Sequence, residues 1–256
     1  MSDYDRNYAA RPAFGAARSA AIDAGLRAYM LRVYNYMAAG VALTGVVAYF
    51  AFQAAGGDAI RLVPGGIVGA TAFGQMILGG FTPILLMLVT LGLVFFLSYR
   101  ISSLQPSTAF GVFMLYAALL GLALTPIFVV YTGASVSRTF FISAASFGAL
   151  SLYGYTTQRD LSPIGSFLIM GVFGILLASL VNIWLGSHGL AFAISVIGVL
   201  VFAGLTAYDT QRIKEMYSSY DDGTVAGRKA VMGALSLYLD FINLFLFLLR
   251  FMGDRR

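Results

Sequence analysis

Two aspartates sit where an aspartate is costly to keep. Asp240 lies near the middle of the apolar run Leu235-Ser-Leu-Tyr-Leu-Asp-Phe-Ile-Asn-Leu-Phe245, and Asp209 near the end of Gly204-Leu-Thr-Ala-Tyr-Asp-Thr-Gln-Arg212. The remaining nine of the eleven acidic residues fall in tails, in loops or just past an apolar run. An ionised carboxylate at bilayer depth costs about 2.5–3.5 kcal/mol on insertion scales, so an acid retained there needs a partner, a proton or water. Ser236, Asp240 and Asn243, spaced four and three apart, form one polar stripe on a helix, and Thr206 and Asp209 share a face by the same rule. Two carboxylates that meet in a low dielectric cannot easily both ionise, so they share a proton and titrate as a unit. Such a pair can hold a gate shut and release it on deprotonation, or offer oxygen ligands to a hard cation such as Ca²⁺. The plainer reading makes Asp240 a hydrogen-bonded packing residue and Asp209 a solvated helix end.

The elements that must position these acids are membrane helices. The chain has 256 residues, of which 59% are hydrophobic and 11% charged, against about 25% charged in an ordinary soluble domain. Its mean hydropathy is +0.84. Charges cluster between apolar runs longer than about 18 residues, the length of a membrane-spanning helix. We read seven spans, near Leu31–Phe52, Thr82–Tyr99, Thr108–Thr132, Thr139–Thr156, Ile164–Leu185, Leu190–Arg212 and Ala230–Met252. The last two are consecutive, so they can pack side by side and bring Asp209 to Asp240. Residues 1–30 form a polar tail without the features of a cleaved signal, with a surface helix or disorder expected over Ala16–Met30. Residues 31–256 form the membrane domain. The Gly-rich stretch Gln53–Phe81 reads as a loop with a surface-lying or re-entrant piece. Pro126 predicts a kink late in the third span. Trp184 with Tyr49, Tyr131 and Tyr153 fits an interfacial belt, and glycines within the spans fit close helix packing.

Basic residues set the orientation. With the N-terminus cytoplasmic, eleven of the sixteen Lys and Arg lie inside, and Arg61, Arg138, Arg250, Arg255 and Arg256 lie outside. A net charge of +5 in such a chain points to topology and anionic lipid, not to nucleic acid. Arg100, at the end of the second span, is either a snorkelling anchor or a counter-charge to the acid pair. The single histidine, His188, has no neighbouring acids to make a metal site. There are no cysteines, and no phosphate loop, HExxH, GxSxG or CxxC motif, so no enzyme is predicted. Tyr208-Asp209 alone falls short of the signature of an intramembrane aspartyl protease.

The block Phe202-Ala-Gly-Leu-Thr-Ala-Tyr-Asp-Thr-Gln-Arg-Ile-Lys214 and the block Ala234-Leu-Ser-Leu-Tyr-Leu-Asp-Phe-Ile-Asn-Leu-Phe245 resemble signatures of the Bax inhibitor-1 family, the transmembrane Bax inhibitor motif family. Leu150-Ser-Leu-Tyr-Gly-Tyr-Thr-Thr157 with Arg159-Asp-Leu161 resembles the end of the fourth span in its bacterial members. The likeness runs from about Ala28 to the C-terminus. It implies an all-α integral membrane fold of seven helices, the last one central and wrapped by two three-helix groups. It also implies a pH-sensitive cation leak, mainly for Ca²⁺, controlled by an acid pair matching Asp209 and Asp240, with Arg100 approximately matching the family's arginine partner. Ser236, Asn243 and Thr206 are the accessory candidates. No cofactor is expected beyond Ca²⁺ as the permeant or bound ion.

The expected activity is therefore a Ca²⁺-permeable leak in a bacterial inner membrane, with lipid, Ca²⁺ and protons as its partners. Its rivals are a non-transporting regulator that binds other membrane proteins, such as a membrane protease or stress and cell-death machinery, and a proton-coupled transporter. One acidic stripe is a spare apparatus for coupled transport.

Overall fold

A computed structural model describes residues 3–64 and 66–256. Met1, Ser2 and Gly65 lie outside the described residues, as do the side chains of residues 3–23 and 62, which hold most of the expected tail. Nine helices follow one another among the described residues: α1 (Asp3–Ala55), α2 (Ala72–Leu78), α3 (Thr82–Arg100), α4 (Pro106–Ala123), α5 (Pro126–Val130), α6 (Gly133–Thr156), α7 (Ser162–Leu185), α8 (His188–Glu215) and α9 (Gly223–Met252). Their starts are written in the sequence. Thr71, Thr132, Ser187 and Asp222 cap α2, α6, α8 and α9, each accepting from a backbone N–H three residues on. Pro83, Pro106 and Pro163 sit in first turns, where a missing N–H costs nothing.

Among the described residues six helices are long and apolar enough to cross a membrane: residues 24–55 of α1, then α3, the α4–α5 unit, α7, α8 and α9. Each coincides with an expected span. The expected fourth span corresponds to α6, which has 24 residues but carries Ser135, Ser137, Arg138, Thr139, Ser143 and Ser151 and is not among the six. The predicted kink is a break: α4 stops, Leu124 and Thr125 turn, and Pro126 opens α5. The Gly-rich stretch is a loop bearing an antiparallel hairpin, Arg61–Val63 with Gly66–Val68, and the short α2. It makes no further crossing. Gly74 of α2 presses on the end of α1, where a Cβ would collide with the Ala55 carbonyl.

The helix α9 is the centre. In its most apolar stretch 67% of residues are buried, against 11% in α3 and 17% in α7. It packs on α1, α4, α6 and α8, while α3 leans on α4 and α7 on α8. Two groups therefore wrap it, α1–α3–α4 and α6–α7–α8. The outward faces carry large apolar side chains such as Phe95, Phe167, Ile183 and Trp184, the surface a bilayer solvates.

Polar clasps fix both ends. Lys229 reaches Asp221 (2.6 Å) and the Met216 carbonyl (2.9 Å), bracing the short turn between α8 and α9. The Gln211 amide accepts from the Leu161 N–H (2.9 Å) and donates to the Arg159 carbonyl (2.8 Å), holding the α6–α7 turn against α8. In that turn the Ser162 N–H donates to the Asp160 carboxylate and holds it below the usual carboxylate range. Gln211→Leu strips both partners from a buried turn and should cost about 2–3 kcal/mol. The expected readout is a clear fall in melting temperature in detergent, and an unchanged melt would refute the clasp. At the opposite end the residues after α9 fold back as a strap. Arg138 pairs with Asp254 (2.8 Å) and Arg256 with Asp58 (2.6 Å), while the Arg256 N–H donates to the Val130 carbonyl (2.9 Å).

Candidate functional site

The register of α8 against α9 places the acids. Gly233 faces Ile213 and Gly198 faces Phe247, so the antiparallel helices set Asp240 beside Thr206 and Asp209 beside Ser236. Helical side chains lean toward their own N-terminus. On antiparallel neighbours these leans run in opposite directions, and here they carry the two side chains toward each other. The carboxyls of Asp209 and Asp240 lie close enough to act on each other's charge.

Asp240 is 4% exposed and Asp209 half-buried. Asp240 Oδ2 has no hydrogen-bond partner among the described residues. Two ionised carboxylates hold only acceptors, so this contact is a hydrogen bond only when a proton lies between them. The positive charge that acts on Asp209 is Arg212, one helical turn further along α8. Arg100, by contrast, ends the peripheral α3 and is exposed. The structure does not bring it to the pair, and Arg212 holds the place considered for it.

The accessory candidates divide. Thr206 is fully buried, but its hydroxyl donates to the Phe202 carbonyl (2.8 Å) of its own helix. Asn243 likewise donates to the Leu239 carbonyl (2.8 Å), and it faces a cleft between α7, α8 and α9. Ser236 is half-buried one turn before Asp240. Among the described residues none of the three makes a hydrogen bond to either acid.

Sequence reasoning missed a hydroxyl chain next to the pair. Tyr34 of α1 bonds Ser151 of α6 (2.6 Å), Ser151 bonds Thr210 of α8 (2.9 Å), and Thr210 donates to the Thr206 carbonyl (2.7 Å). Thr210 follows Thr206 by four residues, so the stripe on α8 could have been extended to it. Tyr34 and Ser151 arrive from other helices and left no local signal. The chain can form because α6 and α8 nearly touch at Gly154, where a Cβ would collide with the Ala207 backbone. On the other face of α9, Tyr238 bonds Thr44 (2.6 Å), and Thr44 donates to the Ala117 carbonyl (2.8 Å). Phe113 and Tyr116 stand edge-on to the Tyr238 ring.

Among the described residues no three His, Cys, Asp or Glu side chains converge as a resident metal cage would need. The pair offers up to four carboxylate oxygens, fewer than the six to eight ligands Ca²⁺ takes. It suits an ion in passage better than one in residence.

A family model described as "Inhibitor of apoptosis-promoting Bax1" matches residues 26–256. The chain is 47% identical over 235 residues to the "Inner membrane protein YbhL" of Escherichia coli, covering 91% of this chain and 94% of that one. An uncharacterised protein of Rickettsia prowazekii is also 47% identical, over 91% of this chain and 92% of its own. One from Caulobacter vibrioides is 44% identical over the full length of both.

Proposed function

The chain belongs to the Bax inhibitor-1 family of membrane proteins, and on that premise we propose that it is a pH-sensitive, Ca²⁺-permeable leak gated by Asp209 and Asp240. The observation that carries this reading is an acid pair facing each other between α8 and α9, the latter the most buried helix of the bundle. Keeping such a pair is costly, and packing alone could be served by a neutral amide or an apolar side chain. With one proton shared, the carboxyls attract and hold α8 on α9. When that proton leaves, two negative charges face each other across the contact, and the helices part. The freed oxygens then offer a hard cation its natural ligands. Flux should therefore rise with pH as the pair loses its proton.

In this reading α6 is the seventh crossing, with Ser143 donating to its own Thr139 carbonyl and Ser151 bonded to Thr210 of α8. The chain lies in the inner membrane, with its N-terminus in the cytoplasm and its C-terminal strap outside. The test is Ca²⁺ flux into liposomes that hold the purified protein, at a series of pH values. Entry that rises with pH supports the leak. Liposomes that stay silent at every pH would sink it and favour a non-transporting regulator of other membrane proteins.

A further inference from the structure

The five arginines assigned to the outer side are unequally employed. Arg61 donates to the Asp58 and Ile60 carbonyls, Arg138 pairs with Asp254, and Arg256 with Asp58. Arg250 and Arg255 meet no carboxylate at ion-pair distance among the described residues, although the Arg255 guanidinium also lies 6.0 Å from the centre of the Tyr131 ring. These two converge, with His188, on one pocket of about 480 Å³ between the end of α7, the start of α8 and the end of α9. Its floor is polar. Ser195 is 1% exposed, and Asn182 accepts from the Ser187 N–H, which leaves its NH₂ group to donate elsewhere. The N-terminus of α8 opens at the same place and adds a favourable field for an anion.

The pocket is also two-sided. Ile183 and Phe192 line it and are exposed on the outer face, and Phe251 packs against the Phe192 ring (5.6 Å between centroids). Trp184, 89% exposed, stands next along α7, where an indole marks the head-group level. A charged end at that level and an apolar wall running into the bilayer match one molecule with a phosphate and a hydrocarbon chain. A small soluble anion would use only the first.

We propose that this pocket binds an anionic phospholipid, its phosphate held by Arg250, Arg255 and His188 and an acyl chain laid along Ile183 and Phe192. Guanidinium groups suit the task, since their planar fork bonds two phosphate oxygens at once. The site is separate from the acid pair and does not depend on the leak reading.

The test is native mass spectrometry of the full-length protein in detergent, titrated with phosphatidylglycerol or with phosphatidylcholine. Wild type should retain one phosphatidylglycerol in preference to phosphatidylcholine. The Arg250→Gln/Arg255→Gln variant should lose about tenfold in apparent affinity for it. Arg250 has no ion pair among the described residues, so Arg250→Gln alone provides the test if the double variant fails to fold. Arg250→Lys, which keeps the charge but not the fork, should fall between. Equal retention of the two lipids by wild type, or no loss in either variant, would overturn the proposal. Displacement of the lipid by millimolar inorganic phosphate would overturn the lipid as the natural source and put a soluble phosphate in its place.

Discussion

Asp240→Asn is expected to leave the protein folded and its Ca²⁺ flux low at every pH. Asparagine has the same shape as aspartate and can donate its NH₂ to the Asp209 carboxylate, so the contact between α8 and α9 survives. It cannot release a proton in the physiological range, so the repulsion that separates the helices never develops. A switch moved by one proton changes its population by at most about tenfold per pH unit. Wild-type liposomes should therefore show about tenfold or greater variation in flux between acid and mildly alkaline conditions, and the variant less than about twofold. Asp209→Asn should act in the same way, and the two substitutions together should add little, because the residues work as a unit. A variant that kept the full pH response would show that the proton is sensed elsewhere.

The largest structural effect is expected from Gly154→Leu. A Cβ there meets the carbonyl, carbonyl carbon and Cα of Ala207, all backbone atoms that cannot rotate aside. Room can be made only by moving α6 away from α8, which would break the bond between Ser151 and Thr210. Overpacking of a core usually costs about 1–3 kcal/mol, and a rigid neighbour puts this site at about 3 kcal/mol or more. Gly148→Leu on the same helix provides the control, since a Cβ there meets nothing within 4 Å. Thermal melts in one detergent should separate the two variants widely. Equal melting temperatures would refute the close crossing of α6 and α8.

The helices and the acid pair were legible because membrane burial writes itself into the chain one segment at a time. Apolar runs set the spans, and an aspartate among leucines stands out against its surroundings. The short turn between α8 and α9 then makes their partnership nearly unavoidable. Arg100 stayed open between anchor and counter-charge because a charge at a helix end looks alike whether that helix is central or peripheral. That distinction is tertiary, and it favoured Arg212, which shares a helix with Asp209. The hydroxyl chain through Tyr34 and Ser151 was invisible for the same reason, as was the gathering of His188, Arg250 and Arg255 from distant parts of the sequence. The hairpin at Arg61–Val68 was missed because its three-residue strands are too short to show a period.

Tyr238 and Asp240 stand on opposite sides of one rod, Tyr238 bonded to α1 and Asp240 facing Asp209 of α8. At about 1.5 Å per residue, the 30 residues of Gly223–Met252 reach about 45 Å, well beyond a hydrocarbon slab of about 30 Å. A rod held at mid-length and protruding at both rims behaves as a lever. Any displacement that parts the acids must either be absorbed beside Thr44 or be delivered to the far rim, where the tail holds Asp58 and Arg138. On the proposed reading, a proton lost at the centre of the bundle would thus be reported to the opposite surface, some 20 Å away, along α9 itself and without any loop having to carry it.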